Sequence, residues 1–145
     1  MNADHHQFAA LLHRAAALWR IRLDERLRPW GMTQSTWRAL WALHQAEERY
    51  DQSRLAVRLG IETPTLVGLL DRMEKRGLVR READPQDRRR KYLAITPQGL
   101  ALAEEIEGEV LATRARMLEG VDPADLDAGI RLCRQLLSNA GNGAE

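Results

Sequence analysis

The chain has 145 residues, of which 44% are hydrophobic, 5% aromatic and 30% charged, with a formal net charge of +1; that length fits one compact domain, or one domain with helical extensions. No apolar run approaches the roughly 20 residues that span a bilayer, and the polar residues 1–7 lack the apolar stretch and small-residue cleavage site of an export signal. The single cysteine, Cys133, excludes an intrachain disulfide, so a reducing compartment fits, and a cytoplasmic location with no membrane partner is expected.

Leu11, Leu12, Ala15, Leu18, Trp19 and Leu23 recur at three- and four-residue steps, predicting a helix over 8–27 that Pro29 and Gly31 stop. Thr33 is the expected N-cap of a second helix through Gln45, with Trp37, Leu40, Trp41 and His44 along one side. Asp51 or Ser53 caps a short helix whose buried side is Leu55, Ala56 and Leu59. Gly60 suits a left-handed turn after it, and Ile61 offers an apolar plug. Thr63-Pro64 then forms a cap followed by proline at the first helical position. The helix predicted over 64–76 buries Leu66, Leu69, Leu70 and Met73, shows Thr65, Gly68, Asp71, Arg72 and Lys75 on its other side, and ends at Gly77. Two short helices joined by a tight glycine turn make a helix-turn-helix.

After Gly77 the period shortens, and residues 78–82 and 91–95 are predicted strands. Between them lies a turn-forming and then basic loop, residues 83–90, so the hairpin is a wing on the helix-turn-helix. Thr96-Pro97 starts a long helix over 98–118, and Asp122-Pro123 starts a last one carrying Leu126, Ile130, Cys133 and Leu137 on one stripe. The expected class is mainly α with a small β element (α+β): one domain over 1–145, with a winged helix-turn-helix lobe at 33–97. The helices of 1–30 and 98–145 exceed what such a lobe needs. Their apolar stripes want a partner, and a second copy of the chain is the simplest one, giving flanking dimerisation helices.

Charge is uneven along the chain. Residues 53–93 hold 11 Lys/Arg against 6 Asp/Glu, a net +5, whereas residues 94–145 hold 4 against 9, a net −5. A basic middle beside an acidic flank is expected where one segment faces a polyanion such as double-stranded DNA, although a run of arginines also simply solvates a surface. A helix entering the major groove needs short side chains at its leading end. Thr63, Pro64 and Thr65 meet that condition; Thr65 suits a base edge or thymine methyl, and Thr63 suits either a cap or a base contact. Arg72, Lys75 and Arg76 lie further along and suit phosphates, with an Arg72 pair to Asp71 or Glu74 as the plainer alternative. At the wing, Arg88, Arg89, Arg90 and Lys91 follow Asp87 on a loop short enough for a minor groove, where narrow width concentrates negative potential. Alternate side chains of an extended arm face opposite ways, so one division has one arginine in the groove while Asp87 holds another.

These residues resemble the MarR family of bacterial regulators. The resemblance is carried by the run from Gln52-Ser53-Arg54-Leu55-Ala56 through Leu59-Gly60-Ile61 and Pro64-Thr65-Leu66 to Leu70-Asp71-Arg72-Met73-Glu74-Lys75-Arg76-Gly77-Leu78-Val79-Arg80-Arg81, and by Asp84-Pro85-Gln86-Asp87-Arg88-Arg89 with Leu93-Ala94-Ile95-Thr96-Pro97-Gln98-Gly99. Trp37 after Met32-Thr33-Gln34, together with Gly60-Ile61-Glu62, looks like the SlyA-like branch. The likeness spans residues 8–138 and is strongest over 52–99. It implies an obligate homodimer with intertwined terminal helices and two winged lobes straddling a palindromic site. It makes Arg88 the minor-groove candidate and 63–72 the major-groove segment, and the full contact set expected is Ser53, Arg54, Thr63, Pro64, Thr65, Val67, Gly68, Arg72, Lys75, Arg76, Asp87, Arg88, Arg89, Arg90 and Lys91. Relatives often carry Arg or another polar residue where Gly68 stands, a departure that leaves one expected base or phosphate contact open here.

The same resemblance implies a crevice for a small aromatic or phenolic acid between the dimerisation helices and the DNA-binding lobe. Leu12, Trp19, Arg20, Trp37 and Trp41 are its candidate lining, with tryptophans as an aromatic wall and an arginine for the carboxylate; the same tryptophans suit an ordinary core. His5, His6, His13 and His44 form no metal spacing, and neither a metal nor a cofactor is expected. Cys133, on an apolar stripe, suits a packed thiol. Catalytic motifs such as G-x-S-x-G, HExxH or a phosphate-binding glycine loop are absent, so no enzyme is expected. A winged-helix protein-interaction module that never touches DNA is the alternative, against which the Arg-rich wing argues.

Overall fold

The computed structural model describes residues 2–141. Helix α1, Asn2–Leu27, begins six residues before the expected start at Phe8, because the mostly polar residues 2–7, with Asp4 near the positive end of the helix dipole, carry no apolar period. A 3-10 turn, Arg28–Trp30, follows and is closed by Gly31. Helix α2, Gln34–Gln45, starts at the expected Thr33 cap: the Thr36 amide donates to Thr33 Oγ1 at 3.1 Å, and the Thr33 amide donates back to Thr36 Oγ1 at 2.8 Å. Helix α3, Gln52–Leu59, is capped by Asp51, the first of the two expected residues, whose Oδ1 accepts the Arg54 amide at 2.8 Å.

Helix α4, Thr63–Lys75, starts one residue earlier than expected. The Glu62 carbonyl accepts the Leu66 amide at 3.1 Å, which makes Glu62 the cap position and Thr63 the first helical residue. The reading of Thr63 as the cap is therefore corrected, and its hydroxyl stands exposed at the leading end. Both helices of the pair end in the same way. The Gly60 and Gly77 amides donate three residues back, and those of Ile61 and Leu78 five residues back, with φ of +66° and +74° at the two glycines. Leu78 thus belongs to the helix ending, so β1 is Val79–Ala83, one residue later than expected. It pairs antiparallel with β2, Lys91–Ile95, in a register that puts Arg81 opposite Leu93 and Ala83 opposite Lys91. A third segment touches this ribbon: Leu93 donates to the Tyr50 carbonyl at 2.9 Å, and Asp51 bridges Tyr92. Helices α5, Pro97–Met117, and α6, Pro123–Asn139, complete the fold.

One core joins Leu23 and Leu27 of α1 to Trp37, Leu40 and Leu43 of α2, Leu55 and Leu59 of α3, Leu66, Leu70 and Met73 of α4, Val79 and Leu93 of the hairpin, and Ala103, Ile106 and Val110 of α5. The helix-turn-helix and wing are thereby seated on α2 and α5. By contrast α6 buries none of its residues, and Leu126, Ile130, Leu132, Leu136 and Leu137 are exposed; so are Phe8, Leu11, Leu12, Leu18 and Ile21 of α1. Cys133, on the same helix, is exposed on the single chain as well. Among the described residues no helix is long and apolar enough to cross a membrane.

Candidate nucleic-acid interface

Helical periodicity sorts α4 into two sides. Leu66, Leu69, Leu70 and Met73 go into the core, while Thr65, Gly68, Arg72 and Lys75, at i, i+3, i+7 and i+10, line the opposite side. Thr63, Pro64, Thr65, Arg72 and Lys75 are exposed, and Val67 and Gly68 half-buried. Arg72 makes no ion pair among the described residues. The acids that were its alternative partners, Asp71 and Glu74, are both taken by Arg81 of β1, which also reaches Gln52 at 3.5 Å. The Arg81 amide adds a bond to Glu74 Oε2 at 3.2 Å. Arg81 therefore ties the first arm of the wing to the exposed side of α4 and to the start of α3. Residue spacing did not single it out, because its acidic partners lie on a different element.

Arg76, expected among the phosphate contacts, is instead a tether. Its guanidinium donates to the Trp30 carbonyl at 2.8 Å and the Gly31 carbonyl at 3.1 Å, holding the 3-10 turn against the end of α4. Arg54 lies 3.9 Å from Glu48 and over the Tyr50 ring, while Ser53 is exposed at the start of α3.

The wing tip is built by two aspartates acting on backbone. Asp84 Oδ1 accepts the Gln86 amide at 2.9 Å, Asp87 Oδ1 accepts the Arg89 amide at 3.1 Å, and Arg90 donates back to the Asp87 carbonyl at 3.0 Å. The expectation that Asp87 holds an arginine side chain is corrected: its carboxylate shapes the turn. The arginine that is held is Arg90, whose Nε lies 3.4 Å from Oδ2 of the largely buried Asp51; Tyr92 first, and then Asp51, raise the Arg90 pKa. Arg88, Arg89 and Lys91 are exposed and form no ion pair among the described residues. The four-cation run thus divides into one anchored arginine and three free cations on a tied turn.

Of the candidate ligand residues, Trp37 and Trp41 come together and the others do not. The two indoles stack at 5.4 Å, and Trp41 stacks on His44 at 4.6 Å. They line a cleft of about 680 Å³ formed by α2, the α2–α3 connection, α3 and Arg114 of α5. Leu12, Trp19 and Arg20 of α1 lie outside it. The cations that do line it are Arg38, Arg49, Arg54, Arg58 and Arg114, none of which the spacing of the tryptophans pointed to. Among the described residues no cluster of His, Cys, Asp and Glu has the makings of a metal site.

The geometry agrees with known proteins. The sequence pattern of the MarR family matches residues 30–90. The structure of transcriptional regulator PA3341 is 36% identical, with 93% of this chain and 98% of that one covered and a TM-score of 0.82. A MarR family transcriptional regulator from Rhodococcus sp. RHA1 is 28% identical over 94% of each chain, with a TM-score of 0.80. BpsR of Bordetella bronchiseptica, whose DNA binding is regulated by 6-hydroxynicotinic acid, is 25% identical over 88% of this chain and 91% of its own, with a TM-score of 0.81. With its helix-turn-helix, its Arg-tipped wing and its long flanking helices, this chain belongs to the MarR family of transcriptional regulators.

Proposed function

We propose that the chain works as a homodimer on two-fold symmetric promoter DNA, with α4 in a major groove and the wing in the adjoining minor groove of each half-site. The lobe of 33–97 contacts DNA, and the helices of 1–30 and 98–145 join the two copies; residue 1 and residues 142–145 of that frame lie outside the described residues. The observation that carries this reading is the pair Arg88 and Arg89, unpaired on a turn fixed by Asp84 and Asp87. That wing is tied through Arg81 and Arg90 to the helices that present Thr65, Arg72 and Lys75. A cationic tip held beside a helix with short leading residues suits a duplex polyphosphate, because both parts meet it in one fixed orientation. The exposed apolar stripes of α1 and α6 support the dimer. An aromatic acid in the Trp37–Trp41 cleft tunes occupancy, a role supported by BpsR and its ligand. Regulation follows from competition with polymerase or another protein for the promoter.

The test is selection of bound sites from a random duplex pool, followed by titration of the recovered site at several salt concentrations. Recovered sites should be palindromic, with half-sites about one helical turn apart. Arg88→Ala should weaken binding across sequences and make the slope of log K against log salt shallower by about 0.9 for each phosphate that the variant no longer neutralises. Binding that responds neither to salt nor to Arg88→Ala would overturn this reading in favour of a protein-interaction module.

A further inference from the structure

The cleft beside Trp37 and Trp41 is lined by five arginines against two carboxylates, Glu47 and Glu48, a larger positive excess than a simple aromatic acid would need. Arg49 pairs with Glu82, and Arg54 lies 3.9 Å from Glu48. Arg38 and Arg114, both half-buried, have no carboxylate within 4.0 Å among the described residues. Burial first, and then Arg58, lowers the Arg38 pKa; burial first, and then Arg38, lowers that of Arg114. At the same place Trp37 Nε1 and Arg114 Nε are buried with no hydrogen-bond partner among the described residues. Leaving such groups unmatched is costly in a folded protein, so the wall of the cleft is short of acceptors.

The indoles set the other half of the chemistry. One face of Trp37 is stacked on Trp41, and the Arg114 guanidinium lies 5.2 Å from the Trp37 ring centre. Trp41 is stacked between Trp37 and His44. Stacked in this way, Trp37 and Trp41 give the cleft an aromatic lining, which suits a further ring.

We propose that this cleft receives an aromatic dianion, an aromatic ring bearing either two carboxylates or a phosphate, with its charges on Arg38 and Arg114 and its ring against the Trp37–Trp41 wall. This rests on the effector reading above and narrows its ligand class: a monoanion leaves one of the two arginines uncompensated, and a dianion leaves neither.

The experiment titrates the intact chain with phthalate, phenyl phosphate, benzoate and inorganic phosphate, by calorimetry and by tryptophan fluorescence. The aromatic dianions should bind at least tenfold more tightly than either benzoate or inorganic phosphate, and the tighter of the two dianions identifies the charged group preferred. Arg38→Met and Arg114→Met should each reduce dianion binding to the benzoate level while leaving the melting temperature of the ligand-free protein unchanged or higher, because each removes a half-buried cation with no carboxylate beside it among the described residues. Benzoate binding as tightly as phthalate would overturn the dianion proposal and leave an aromatic-acid effector standing. Inorganic phosphate binding as tightly as phenyl phosphate would overturn the aromatic requirement. A fall in melting temperature in both variants would show that these arginines serve the fold or a second copy, and would overturn the proposal. No binding by any of the four at millimolar concentration would remove the effector reading together with it.

Discussion

Arg81→Met keeps the length and apolar stem of the side chain and removes the guanidinium that ties the wing to α4. In the native chain that group donates to Asp71 and, at 3.2 Å, to Glu74; the Arg81 side chain is only 17% exposed, its two acids 50% and 44%. The bond to Asp71 does most to raise the Arg81 pKa, partial burial opposes it, and Glu74 adds to it. Hydrogen bonds to charged groups contribute about 1.5–3 kcal/mol. Half-exposed carboxylates draw each contact down towards the ~1 kcal/mol upper end of exposed ion pairs, so the two together stabilise by about 2 kcal/mol. The substitution also leaves Asp71 and Glu74 one turn apart on α4, a like-charge pair costing about 0.2–0.5 kcal/mol.

The expected loss is therefore ~2 kcal/mol, which for a chain of this size lowers Tm by about 4–8 °C. In urea it should appear as a lower midpoint at unchanged slope. A double-mutant cycle with Asp71→Asn should return a coupling of about 1 kcal/mol. Since β1 is the first arm of the wing, DNA affinity should also fall at 25 °C, where most of the variant is still folded. A stability change inside the roughly ±0.5 kcal/mol of ordinary surface substitutions would refute the energetic argument. The expected destabilisation with DNA affinity untouched would refute the claim that Arg81 positions the wing.

Other substitutions probe separate joints of the molecule. A Cβ on Gly99 would lie 2.2 Å from the Leu78 carbonyl oxygen, so Gly99→Ala should cost about 1–3 kcal/mol or more by overpacking, and an unchanged thermal melt would show that this junction yields freely. Gly68 has open space around it in the middle of α4; Gly68→Ala should stabilise by about 0.5–1 kcal/mol, and a lower Tm would contradict an unobstructed helix there. Ile130 is 43% exposed on α6, so Ile130→Glu should spare the folded chain and move sedimentation towards the monomer; a dimer that persists at micromolar concentration would place the interface elsewhere.

What the sequence made legible follows from how far apart the cause and its effect lie along the chain. The apolar periods of α2, α3 and α4, the Thr33 cap and the turn at Gly60 depend on residues within one or two helical turns, and they stand where the pattern puts them. Thr63-Pro64 misled by one position because either residue 62 or residue 63 can begin a helix with proline in its first turn, and only the Glu62 carbonyl, accepting from Leu66, decides between them. The pairings that define the site are of another kind. Arg76 reaches the turn at Trp30 and Gly31, Arg90 reaches Asp51, and Arg114 reaches Trp37. No spacing rule says which of 22 cations meets which of 21 acids, so arginines that look alike in sequence separate into tethers and free charges only once the chain is folded.

That separation gives the wing its mechanical character. Asp51 does two things at once: Oδ1 caps α3, and Oδ2 takes Arg90 at the wing. The neighbouring Tyr50 carbonyl accepts from Leu93 in β2, and Arg81 in β1 takes Asp71 and Glu74 of α4. Each arm of the hairpin is therefore fastened to a helix of the helix-turn-helix, β2 through the start of α3 and β1 through the outer side of α4. Moving the wing alone breaks these ties, about 2 kcal/mol at Arg81, so the least costly motion that brings Arg88 towards a minor groove carries Thr65 and Arg72 with it. On that reading, the proposed control of DNA binding acts on the placement of whole lobes. The cleft beside Trp37 is suited to that, since it draws its lining from α2, α3 and α5 and so borders both the first helix of the helix-turn-helix and the long helix on which that motif sits.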